Sequence, residues 1–216
     1  MCIRDRYETN SRWFVHLKEF FGDGDTWVFS LNHDLYLECL AAELGIPLSY
    51  GDTGSISFPI SNLKMGEQVS FTCIERAKYH SDSPGFFSGA TGINLVKLHG
   101  GLTELEYDDK GLLLNLELGD SAKSTMERLS KFLQMGYYGR DGKVYGGSDL
   151  VLTNPDGSLD IARRAMLMGG TKYSRTAKIK SGEEKLQVFD AVLNQLDRLT
   201  IIGYGFGDHH VNFRIS

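Results

Sequence analysis

Cysteine, proline and long apolar runs are all scarce in this chain of 216 residues. The three cysteines, Cys2, Cys39 and Cys73, are unevenly spaced and form no Cys-x-x-Cys pair. That excludes a four-cysteine zinc site and argues against a disulfide framework. Reduced thiols in a cytoplasmic setting are the expectation. No apolar run approaches the roughly 18 residues that a membrane span needs. The opening Met1-Cys2-Ile3-Arg4-Asp5-Arg6 lacks the apolar stretch of a signal peptide. Positive charge is not in surplus: 23 Lys and Arg against 28 Asp and Glu leave a net charge of −5, with no basic run. Direct binding to nucleic acid is therefore not expected. Proline occurs four times and glycine 25 times, which points to many tight loops.

What is present is an alternation of strand-like and helix-like segments. Residues 1–9 read as a leader unrelated to the rest, and 10–216 as one α/β domain, incomplete at both ends, with an insertion or lid over about 46–92. Trp13, Phe14, Leu17, Phe20 and Phe21 recur at helical spacing, predicting a helix over 10–21. The run 26–31 is β-branched and aromatic without alternation, as in a strand buried on both faces. Asp34 then caps a helix over 35–44 that Gly45 closes. Short strands are expected at 55–58 and 68–74, a third at 94–98, and a hairpin at 103–116 around Asp108-Asp109-Lys110-Gly111. Ser124 with Glu127, and Ser181 with Glu184, have capping-box spacing. Leu150-Val151-Leu152 is strand-like before the turn Asn154-Pro155-Asp156-Gly157, and Ala165-Met166-Leu167-Met168 reads as a buried strand. Leu199-Thr200-Ile201-Ile202 has the strongest buried-strand composition in the chain. Together these predict a doubly wound, mostly parallel Rossmann-like sheet.

Three of the apolar runs stop abruptly in polar residues or glycine: Asn32-His33-Asp34, His99-Gly100-Gly101, and Gly203 through Asp208. In an open parallel sheet such breaks share one rim, where ligands bind. Glycines at 203, 205 and 207 followed by Asp208 as a helix cap would expose backbone N–H groups to phosphate or ribose. The spacing is Gly-x-Gly-x-Gly, short of the full dinucleotide fingerprint. An imidazole at the rim, His99, can act as a base near neutral pH.

The segments Ser30-Leu31-Asn32-His33-Asp34, Lys97-Leu98-His99-Gly100 and Gly203-Tyr204-Gly205-Phe206-Gly207-Asp208 with Asn212, in this order, resemble the sirtuin-like NADase domains of bacterial anti-phage systems. The resemblance spans residues 26–213, with these three short motifs its specific part. It implies that Asn32 and His99 are the catalytic pair and that Asp34 belongs to a nicotinamide pocket. Ser30, Leu31, Gly100, Gly203, Tyr204, Gly205 and Asp208 would contact the dinucleotide. NAD would be the substrate, with no metal. A homo-oligomer, or a fused or associated sensor domain, would be the setting. The family's first strand and Gly-Ala-Gly-type phosphate loop have no match here. The expectation is a sheet with an unsatisfied edge, which invites association.

Breaking the nicotinamide–ribose bond passes through oxocarbenium character. Asn32 could position ribose or water, and His99 could accept a proton. Without zinc cysteines, hydrolysis of NAD to nicotinamide and ADP-ribose is favoured over deacylation. A nucleotide or ADP-ribose binding module without turnover is the main alternative. A metal hydrolase using His33, His99, Asp208, His209 and His210 is a further one.

Overall fold

A computed structural model describes residues 15–21, 24–146, 149–166 and 182–216. Its first layer is a three-stranded parallel sheet made of β1 (Asp25–Ser30), β5 (Gly92–Lys97) and β2 (Leu48–Ser49), with β5 in the middle. Every residue of β5 is buried, as a central parallel strand requires. Trp27 and Phe29 lie on one face of β1, their rings packed at a tilt on Phe86 and on Phe189 of α3 (Glu183–Leu193) at ring-centroid distances of 4.6 and 4.7 Å. Helix α1 (Tyr36–Leu44) returns the chain from β1. It ends where Gly45 turns left-handed and the Ile46 N–H bonds the Ala41 carbonyl at 2.9 Å.

The second layer is a six-stranded antiparallel sheet in the order β10-β11-β6-β7-β4-β3. Its strands are β3 (Gly54–Pro59), β4 (Gln68–Glu75), β6 (Glu104–Tyr107), β7 (Leu112–Leu116), β10 (Asp149–Thr153) and β11 (Leu159–Arg164). Phe58, Phe71, Tyr107 and Leu114 of this sheet close a core with Leu35, with Cys39 of α1 and with Leu129 and Phe132 of α2 (Ala122–Phe132). A minor hairpin, β8 (Tyr137–Tyr138) with β9 (Val144–Tyr145), lies between α2 and β10, and α4 (His209–Ile215) ends the chain.

This overturns the expected doubly wound, mostly parallel Rossmann-like sheet. The reason lies in the connections. Tight turns at 108–111, a single 3₁₀ turn, and at 154–157 join strand to strand with no α-helix between, and a short link can only reverse the chain. Residues 46–92 supply β2 to the parallel sheet and β3 and β4 to the antiparallel one.

The segment 199–202 is a second correction. It forms no strand; Leu199 and Ile201 are each 44% exposed and Ile202 62%. Among the described residues no strand pairs with the outer edge of β1, and every β1 residue is only half-buried. A crevice of about 1700 Å³ separates that edge from 199–203. An apolar run becomes a strand only where a neighbour pairs with it, and the crevice keeps β1 from serving.

Smaller differences follow local chemistry. The capping box sits one turn before the expected Ser124–Glu127 pair. Ser121 Oγ accepts the Ser124 N–H at 3.2 Å, and Ser124 Oγ accepts the Ser121 N–H at 3.0 Å, so a serine does the work expected of Glu. Residues 15–20 form a 3₁₀ turn; the rest of the expected helix over 10–14 lies outside the described residues. So do Ser181 of the second capping box and 167–168 of the expected 165–168 strand; the strand there is β11, which ends at Arg164.

One half-buried acid gives the fold a pH dependence. The Asp52 carboxylate is pushed up from 3.8 to about 6 by burial, against the bonds it accepts from Thr72 Oγ1 at 2.5 Å and Asn115 Nδ2 at 3.2 Å. Between those values the folded chain keeps a proton that the unfolded chain releases, so stability falls as pH rises from about 4 to 6. Urea melts across this window should show Asp52→Asn losing that slope, at most about 3 kcal/mol of difference from wild type. Parallel pH profiles for the two proteins would assign the slope elsewhere.

Candidate active site

The ends of β1 and β5 lie side by side because the two strands pair in parallel register, Ser30 opposite Lys97. Three bonds stitch their loops together. Leu98 N–H donates to the Ser30 carbonyl at 3.0 Å and Leu102 N–H to the His33 carbonyl at 2.9 Å. His33 Nδ1 donates to the Gly100 carbonyl at 2.8 Å. A carbonyl can only accept, so this contact places a proton on His33 Nδ1. The His33 and His99 rings are 6.3 Å apart.

His99 is 4% exposed, and its Nε2 lies 2.7 Å from Asp208 Oδ2. The other Asp208 oxygen caps α4, accepting the N–H groups of His210 at 3.1 Å and Val211 at 3.3 Å. One carboxylate therefore ends a helix and faces an imidazole. This arrangement, a base held by an acid on a separate element, is the usual geometry of proton transfer at an active site.

The Gly203–Asp208 loop is held by its own contacts. The Tyr204 hydroxyl lies 2.9 Å from the Asp208 carbonyl and 2.7 Å from Asn212 Oδ1, and Asn212 Nδ2 donates to the Phe206 carbonyl at 2.7 Å. Gly203 has φ 65°, a conformation that suits glycine. A Cβ at 203, 205 or 207 would meet nothing within 4 Å. Gly205 and Gly207 thus leave open backbone, and no side chain presses on them.

Of the ten residues singled out in the sequence, six line the crevice beside β1: Ser30, Leu31, Asn32, Asp34, Gly203 and Tyr204. Asn32 and Asp34 are exposed; the Asn32 N–H bonds Ser30 Oγ at 3.1 Å, and Asp34 Oδ1 accepts the Tyr36 N–H at 3.1 Å. His99, Gly100, Gly205 and Asp208 are not part of that lining. His99 and Gly100 sit behind it, buried at the end of β5. The sequence marks Asp208 as a helix cap and dinucleotide contact; nothing in the spacing of residues 99 and 208 announces its pairing with His99. Tyr204 and Asn212 form a second pair of this kind.

Among the described residues no group of three or more His, Cys, Asp or Glu is placed to hold a metal ion, and His209 and His210 stand exposed at the start of α4. Among the same residues no helix is long and apolar enough to cross a membrane. The sequence matches no protein-family model and no curated protein.

Proposed function

We propose that this chain carries the site of an N-glycosyl hydrolase that cleaves NAD to nicotinamide and ADP-ribose. The observation that carries the reading is the His99–Asp208 pair at the end of β5, beside the β1 loop that bears Asn32. His99 takes a proton from a ribose hydroxyl or from water, and Asp208, 2.7 Å from its Nε2, stabilises the imidazolium that results. The Asn32 carboxamide, exposed on the crevice, orients ribose or water while the nicotinamide bond lengthens. Depletion of NAD as an effector of anti-phage defence follows from the motif resemblance alone.

A second reading, binding without turnover, is favoured by one fact: His99 is buried and does not line the crevice. Chromatography of NAD incubated with the protein separates the two. Hydrolysis requires nicotinamide and ADP-ribose to appear in equal amounts. A thermal shift with NAD and no nicotinamide would leave only the binding module, and neither response would remove both.

A further inference from the structure

Beneath the rim lies a group of buried charges to which the cleavage chemistry assigns no role. The Lys97 ammonium, 2% exposed, is 2.5 Å from Glu38 Oε1 of α1, itself 1% exposed. Glu38 Oε1 also accepts the Tyr50 hydroxyl at 2.9 Å. The same ammonium donates to the backbone carbonyl of Asp34. The Lys97 carbonyl in turn accepts from Lys185 Nζ at 3.1 Å, and Lys185 pairs with Glu104. Room for the lysine stem comes from Gly101, where a Cβ would sit 3.0 Å from Lys97 Cδ.

Taking two charges out of water costs several kcal/mol each, and an apolar pair of similar volume often supports a fold as well. Attraction between the two charges is therefore a poor reason for this pair. What an apolar pair could not do is hold the Asp34 carbonyl. Lys97 stands two residues before His99 on β5, and Asp34 two residues after Asn32 beyond β1. One ammonium therefore spans the two loops that the proposed reaction needs in register.

We infer that Lys97, held by Glu38, is a positioning residue that fixes the Asn32–Asp34 loop relative to His99. This rests on the hydrolase reading for its effect on rate but not for its effect on the loop. The test uses the full chain with Lys97→Met/Glu38→Gln, which removes both charges and keeps an acceptor for Tyr50, and Lys97→Arg, which keeps the charge and displaces the donor. Both are measured for nicotinamide release and for amide hydrogen exchange.

The double variant should melt close to wild type, while kcat falls about 10- to 100-fold, the usual effect of a small misplacement, and KM changes less. Exchange at 32–36 should quicken, with 93–97 unchanged. Lys97→Arg should give the same pattern at smaller amplitude, and decides the matter if the double variant does not fold. Wild-type kcat and wild-type exchange at 32–36 in either folded variant would overturn the inference. A wild-type protein that releases no nicotinamide would remove the hydrolase reading instead, and the exchange comparison alone would then judge the strut.

Discussion

His99→Ala is expected to lower nicotinamide release by about 10²-fold or more, the usual loss when a proton-transferring group is removed. Stability should stay within about 1–2 kcal/mol of wild type. The imidazole is buried, so its loss leaves a small void and one less partner for Asp208. That carboxylate still accepts two helix N–H groups, so it is not stranded. Asn32→Ala should be as damaging to turnover and gentler on the fold, because Asn32 is exposed. Nicotinamide release and a thermal melt on the same preparations give both numbers. Full activity in His99→Ala would take the ring out of the mechanism; a fold lost with the ring would make its role purely structural.

Gly100→Ala should be the most destabilising single methyl in the chain's rim. Gly100 has φ 73°, and a Cβ there would lie 1.9 Å from the Ala165 carbonyl oxygen and 2.5 Å from its carbon. Both are backbone atoms at the end of β11, with no rotamer through which to yield. The left-handed backbone alone costs an L-residue about 1–2 kcal/mol, and the overlap must be relieved by moving β5 from β11. A total of about 3–5 kcal/mol is expected, at the upper end of single substitutions. For a chain of this size that is a fall in Tm of roughly 6–20 °C. Gly111→Ala is the control: its φ is 61° and nothing lies within 4 Å of the added Cβ, so it isolates the backbone cost. Equal falls for the two variants would show that the Gly100–Ala165 approach does not constrain the fold.

The parts of this molecule legible in the sequence are those where local chemistry and burial agree. The run 26–31, the helix after Asp34 and the strand before His99 were readable because each carries its own stop, in Asn32, Gly45 and His99. Hairpin turns at 108–111 and 154–157 were readable too, yet their consequence, an antiparallel sheet, was missed in favour of the overall alternation. Leu199-Thr200-Ile201-Ile202 misled for a different reason. Composition reports what a segment could bury, whereas pairing depends on a neighbour that sequence periodicity does not reveal. The site divides the same way. Asn32, His99 and Asp208 could be picked out as residues at the ends of apolar runs. The contacts that give them meaning, His99 with Asp208 and Lys97 with Asp34, join positions far apart in the chain and leave no pattern in it.

The contrast between Gly100 and the glycines of 203–207 makes the rim a vice with one fixed jaw and one free jaw. His99 belongs to the fixed jaw, wedged through Gly100 against the end of β11. Asp208 belongs to the free jaw, behind a loop held by its own bonds, with open space beside its glycines. The imidazole and its carboxylate are thus mounted on parts of unequal stiffness. A substitution that shifts the 203–207 loop would therefore change their separation from one side only, whereas one at residue 100 would move the ring.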